Sequence, residues 1–173
     1  MEESKAKYQF GAVSLFHAEA VGEPGHRVFR LVLESGAATA YLWLEKEQLS
    51  QLGIYIHEIC ASLSSQAQSQ PEEAPEPEWM GGITTVELQV GKLALGHDSS
   101  SNSFLILAHD REEGDEGQAI LSFWATLTQT KELADEALKV CAAGRPRCFL
   151  CGRPVNPEGH MCPRANGHAT LEA

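Results

Sequence analysis

The chain has 173 residues, 43% of them hydrophobic and 21% charged, with a formal net charge of −11. That length supports one core and a small appendage but not two large domains, and no apolar run approaches the roughly 20 residues that cross a bilayer as a helix. The acidity is confined to residues 1–143, with nine Lys/Arg against twenty-two Asp/Glu, while residues 144–173 carry four Arg against two Glu. Such an acidic body opposes duplex nucleic acid, whose binding requires cations that neutralise phosphates.

Residues 1–20 contain no uninterrupted apolar h-region and no small-residue cleavage site, so no secretory signal is expected and a cytoplasmic location is predicted. In that reducing setting the five cysteines are expected as thiols or metal ligands, because disulfides do not persist there.

In chain order, alternating apolar residues predict strands over Tyr8–Ala20 and Arg27–Glu34, separated by the turn Gly22-Glu23-Pro24-Gly25. A short turn at Ser35-Gly36 leads to a third strand, Ala38–Leu44. A helix follows, with Leu49, Leu52, Ile56, Ile59, Cys60 and Leu63 on one face at the 3–4 spacing. Residues 64–78 are almost free of apolar groups and rich in Pro and Glu, the composition of a disordered linker. Further strands are predicted at Thr84–Leu95, Ser103–His109 and Gln118–Thr126, then a helix from an N-cap at Thr128 or Thr130 to a stop at Gly144.

The middle of the chain repeats itself. At an offset of 81 residues, Gly36–Ala61 aligns with Gly117–Ala142, with identities at Trp43/Trp124, Gln48/Gln129, Leu52/Leu133 and Cys60/Cys141. Upstream the match continues at an offset of 75, with Phe29 over Phe104, and the second copy inserts the acidic turn 110–117, at a hairpin tip where insertions are best tolerated. The expected fold is therefore α+β: an internally duplicated βββα unit (residues 1–63 and 79–144) joined by the 64–78 linker, antiparallel meanders packed under helices in a pseudo-twofold pair, followed by a small zinc-knuckle tail at 145–173. Because Trp43/Trp124 and Cys60/Cys141 recur at the same place, packing accounts for them better than ligand contact does; a cysteine without a partner behaves as a small buried hydrophobe.

The tail carries the clearest chemistry. Cys148-x-x-Cys151-Gly152 places two thiolates on one tight turn, and His160-x-Cys162 follows a stretch punctuated by Pro154, Pro157 and Gly159. Together they form a Cys3His set that suits a structural Zn2+ tetrahedron with no position left for water. The fourth ligand has alternatives in His168 and Cys141. A segment this short and polar cannot fold on its own core, and metal binding worth about 10–16 kcal/mol in zinc-finger peptides supplies the deficit. A zinc deaminase would combine H-x-E with P-C-x-x-C. Here His17-Ala18-Glu19 falls on a strand, Pro146 is not adjacent to Cys148, and His160 and Cys162 would be left over. His97-Asp98 and His109-Asp110 read as solvated turn residues, and the chain has no phosphate-binding glycine loop or nucleophile elbow.

Three stretches carry a family resemblance: Gly22-Glu-Pro-Gly25 with Arg27 and Phe29, Val90-Gly-Lys-Leu-Ala-Leu95, and the tail from Gly144 through Pro157-Glu-Gly-His160-x-Cys162-Pro-Arg-Ala-Asn-Gly167. In these the chain resembles an uncharacterised domain-of-unknown-function family common in actinobacteria, over nearly its whole length and most specifically in the tail. It departs from the pattern in its Ser/Gln-rich linker and His168. The resemblance implies no established activity. It implies a pathway link to phosphomutase-like and kinase-like proteins, whose genes tend to lie beside those of the family.

No set of residues in the sequence converges as an acid–base or nucleophile arrangement, so the leading expectation is a non-enzymatic protein-binding or adaptor protein. The rival is an enzyme acting on a phosphorylated or nucleotide-like small molecule at the interface of the two copies. Gly22, Glu23, Pro24 and Gly25 form the candidate functional loop, because the aligned stretch His97-Asp-Ser-Ser-Ser lacks that motif; a plain hairpin turn is the simpler account.

Overall fold

The computed structural model describes residues 6–23, 25–113, 117–143 and 150–151. The elements are β1 (Tyr8–Ala12), β2 (Leu15–Val21), β3 (Val28–Ser35), β4 (Ala38–Leu44), α1 (Lys46–Ser62), a single turn α2 (Ser65–Gln68), β5 (Thr84–Asp98), β6 (Ser103–Asp110), β7 (Leu121–Thr126) and α3 (Leu127–Ala142). The expected α+β class stands, as one seven-stranded sheet in the order β1-β7-β6-β5-β4-β3-β2. Among the described residues no helix is long and apolar enough to cross a membrane.

Alternation builds the sheet. In β4, Ala38, Ala40, Leu42 and Leu44 are buried while Thr39, Tyr41 and Trp43 face the other way, and β7 buries Leu121, Phe123 and Ala125 in the same rhythm. Each fully buried Leu or Phe contributes roughly 1.5–3 kcal/mol, so a one-residue slip of register would turn the whole set outward.

The sheet differs from a pair of antiparallel meanders in how its parts join. β2-β3-β4 and β5-β6-β7 are each antiparallel, but β4 runs parallel to β5 and β1 parallel to β7. The expected single strand over Tyr8–Ala20 is interrupted at Val13 and Ser14. Before the break the chain pairs with β7; after it the chain pairs with β3, as Val13 N–H donates to Trp124 O (2.9 Å) and Ser14 N–H to Glu34 O (2.8 Å). The strands at the two ends of the sheet order are thus neighbours in sequence, and the sheet curls round to meet itself. Phe16 of β2 packs edge-on against Phe123 of β7, with centroids 5.1 Å apart, across that closure.

β5 behaves in the same way: its first half pairs parallel with β4, its second half antiparallel with β6, and the register shifts at Val90–Lys92. One side chain fixes each changeover. Gln129 Nε2 donates to Val13 O (2.9 Å), and Gln48 Nε2 donates to Val90 O (3.1 Å). The amide oxygens of the same glutamines accept from the backbone N–H groups of Thr126 (2.9 Å) and Glu45 (2.8 Å), closing a capping box at the start of each long helix. The N-cap of α3 is therefore Thr126, and neither Thr128 nor Thr130. Thr126 Oγ1 accepts from Gln129 N–H, Thr130 Oγ1 donates to Thr126 O within the helix, and Thr128 lies exposed beside Glu72.

The two long helices pack antiparallel: Cys141, near the end of α3, donates its thiol to Lys46 O at the start of α1 (3.6 Å). They cross closely at Gly53, where a Cβ would lie 2.9 Å from Leu138 Cγ and 3.2 Å from Ala134 O. A mid-helix glycine costs about 1 kcal/mol of propensity, which the close crossing offsets. Cys60 and Cys141 are 6% and 8% exposed, in the core as expected. Burial pushes both thiols above the ordinary thiol range, and Lys131 and Lys46 pull them partly back.

Residues 64–78, expected as a disordered linker, follow a defined path. Asn102 Nδ2 donates to Gln70 O (3.4 Å), Glu73 N–H donates to Ser101 O (3.0 Å), and the Glu72 carboxylate accepts from Thr128 N–H and Oγ1. The segment then passes β1, where Ala12 N–H donates to Pro77 O (3.2 Å). Gly11 makes that approach possible: its φ is +68°, and a Cβ there would sit 1.9 Å from Pro77 O. Most of these ties run through the segment's own backbone, which composition alone does not distinguish from disorder.

Candidate functional site

Three features on the described residues could carry function. The first is a cleft of about 360 Å³ between α1 and the second half of β5. Gln48, Gln51, Leu52 and Tyr55 of α1 form one wall; Val90, Gly91, Lys92, Leu93 and Leu95 of β5 form the other, with Leu44 closing the end. None of these is Asp, Glu, His or Cys, although the chain holds 24 carboxylates.

The cleft exists because the two helices seat differently. α3 lies along β2, whereas α1 scarcely touches β5. On β2, Ala18 pairs with Leu31 and Ala20 with Phe29; on β5, Leu95 pairs with Ile106 and His97 with Phe104. Alanines let the α3 backbone come down onto its strand. At the matching places on β5, Leu95 and His97 project much further, and Leu93 and Leu95 remain only partly buried. His97 is fixed by Asn102 Oδ1 (3.0 Å) and by the Phe104 ring (5.0 Å), so it cannot fold away. It is partly buried, and not a solvated turn residue. Asp98 beside it accepts from Ser100 and Ser101, which hold its carboxyl below the usual range. His109 contacts Gly117 O at 3.2 Å.

The second feature is the loop from Trp79 to Ile83, between the linker and β5. Met80 is 88% exposed and Ile83 93%. The loop is nonetheless braced. Trp79 N–H donates to Ser35 Oγ (2.9 Å), its indole N–H donates to Gly82 O (3.0 Å), and its ring lies 5.5 Å from Phe10. Ser35, itself fully buried, donates to Phe10 O (2.7 Å) and lies against Ala12 O, tying the loop to the strand changeover at Val13.

The third is the turn at 22–25. Gly22 and Gly25 have φ of +108° and +90°, and His26 N–H donates to Glu23 O (2.9 Å), the geometry of a tight exposed hairpin end. Pro24 lies outside the described residues. Arg27, just after the turn, has a buried Nε without a hydrogen-bond partner among the described residues.

His17 and Glu19 sit together on the outer face of β2, 3.7 Å apart, but Glu19 is engaged by Arg30 from β3. The Arg30 guanidinium stacks over Tyr41 (4.6 Å) and Trp43 (5.1 Å). This ladder gives His17-Ala18-Glu19 and Trp43 a packing role. Trp124 keeps a buried indole Nε1 without a partner among the described residues.

Of the tail ligands, Cys148, His160 and Cys162, and the alternative His168, lie outside the described residues. Cys151 is half-buried. Among the described residues, no group of three or more His, Cys, Asp or Glu is placed to hold a metal.

A family model described as "Protein of unknown function (DUF3090)" matches residues 8–162, which takes in the whole sheet, both long helices and the tail through Cys162. The chain belongs to that family. No curated protein and no solved structure matches it. Within this DUF3090 chain, sequence reasoning singled out the 22–25 turn and missed both the cleft and the braced loop. The one sequence signal for the loop was Trp79-Met80 standing at the end of an otherwise polar linker.

Proposed function

We propose that this chain is a non-enzymatic adaptor that docks on another protein through the Trp79–Ile83 loop, on a duplicated βββα body clasped by a structural zinc ion. The exposure of Met80 and Ile83 on a loop that is hydrogen-bonded in place carries the docking reading. A flexible loop could fold such side chains away; a braced one keeps them in water, at a cost recovered when a partner covers them. A loop backbone already held in place also loses little entropy on binding.

Support for the duplication comes from the matched roles of Gln48 and Gln129, the change of strand partner between β1 and β2 and again within β5, and the meeting of Gly53 with Ala134, which are 81 residues apart like the other aligned pairs. For zinc, the support is the spacing of Cys148, Cys151, His160 and Cys162. A reducing, cytoplasmic setting suits such thiolate ligands.

The docking test is purification of the full-length chain from its native cells after mild cross-linking, with partners identified by mass spectrometry. The wild-type chain should recover a specific protein that Met80→Asp/Ile83→Asp loses while keeping its circular dichroism and Tm. Recovery of the same partners by the double variant, or of none by either, overturns the docking reading. For the metal, elemental analysis should give about one zinc per chain, lost in Cys151→Ser; full retention by that variant refutes the ligand set.

A further inference from the structure

The α1–β5 cleft lies on elements other than the docking loop and calls for a different occupant. Its size falls within the range of small-molecule sites, about 300–1,000 Å³. We propose that it binds a small amphipathic organic acid, with the apolar body between Leu52, Leu93 and Leu95 and the anionic head at Lys92 and Gln51.

The walls select the class. Leu52 on the helix and Leu93 and Leu95 on the strand face one another across a gap that the corresponding α3–β2 seam does not have. Apolar surface kept apart in this way gains free energy when an apolar group fills the gap and displaces its water. A polar metabolite such as a sugar or a nucleotide would leave its hydroxyls facing leucine.

Charge decides between acid, alcohol and amine. Lys92 is the single charged residue in the lining, and its ammonium makes no ion pair or hydrogen bond among the described residues. Gln51 can donate beside it, whereas Gln48 already spends both ends of its amide on Glu45 N–H and Val90 O. On a chain with net charge −11, a carboxylate-free cleft with a lone ammonium at its lip favours an anion, and a cationic amphiphile finds no counter-charge there.

The test uses decanoate, decanol and decylamine, each titrated below its micelle-forming concentration into the full-length chain by calorimetry. Amide chemical shifts then locate the site. Decanoate should bind at one site, more tightly than decylamine, and should move the amides of Gln51, Lys92 and Leu93. Lys92→Gln should weaken decanoate roughly threefold, the scale of a solvent-accessible charge contact, and leave decanol unchanged. Leu95→Gln should weaken both tenfold or more. Failure of decanoate to bind overturns the proposal. So do shifts confined to other surfaces, or decylamine binding as tightly as decanoate. Because the shift map uses the unmodified chain, the test survives a variant that does not fold.

Discussion

Replacing Gln129 by alanine should cost far more than its half-exposed position suggests. The side chain makes two hydrogen bonds, accepting from Thr126 N–H at 2.9 Å and donating to Val13 O at 2.9 Å. Each contributes about 0.5–1.5 kcal/mol net, and a buried carbonyl left unpaired costs about 1–3 kcal/mol. Val13 is 5% exposed, so its carbonyl has little access to water. Together these give a loss of about 2–4 kcal/mol. Gln48→Ala removes the equivalent two bonds and leaves Val90 O unpaired on a residue only 3% exposed, so a loss of similar size is expected. Gln129→Glu discriminates further. It keeps the acceptor for Thr126 N–H but sets a carboxylate oxygen against Val13 O, so the variant should be unstable near neutral pH. Stability should rise as pH falls and the carboxyl, protonated more readily in the folded state, regains a donor. Urea unfolding followed by far-UV circular dichroism measures all three. A loss under 0.5 kcal/mol for either Gln48→Ala or Gln129→Ala (the usual range of an inconsequential surface change) would refute the assignment of the glutamines as the pins of the strand changeover.

Gly11→Ala combines a positive φ with a Cβ only 1.9 Å from Pro77 O, and should destabilise by at least about 3 kcal/mol in the same assay. Ala18→Leu, which puts on β2 what β5 carries at Leu95, should overpack the α3 seam by about 1–3 kcal/mol, read as a drop in Tm. Cys60 and Cys141, with thiols pushed up by burial, should react with a disulfide reagent at pH 8 far more slowly in the folded chain than in denaturant. Their raised folded-state values favour the protonated form, so stability should be full below about pH 8.5 and decline above it, where the unfolded thiols ionise first; a pH titration of urea midpoints checks this.

Much of this architecture is legible in the sequence because it is local. Strand alternation in Ala38–Leu44, the helical stripe from Leu49 to Cys60 and the inward cysteines are set by periodicity, and the structure places them accordingly. The break at Val13 was not legible, since the residues on both sides alternate without interruption and only their different partners, β7 and β3, divide them. Gln48 and Gln129 are visible as an identity at the right spacing, but the carbonyl each one reaches lies on a strand far away in sequence. Thr126 lost out as N-cap to Thr128 and Thr130 because three threonines within five residues look alike until the capping bonds are seen. The cleft depends on a comparison of sizes, Ala18 against Leu95, that matters only once α1 and α3 are known to lie over those strands.

The closure of the sheet also has a consequence for how the chain acquires its shape. The pin from Gln129 to Val13 joins residues 116 positions apart, and Phe16 meets its ring partner only when Phe123 is in place. Such distant pairings slow folding, because loop-closure entropy is spent before the contacts return anything. During synthesis β1 emerges first and waits for β7, which is nearly the last strand made. The β2-β3-β4 meander can form early, but the curled sheet can shut only after α3 has left the ribosome. Until then β1 and β6 carry unpaired edges, the part of the nascent chain most exposed to misassociation.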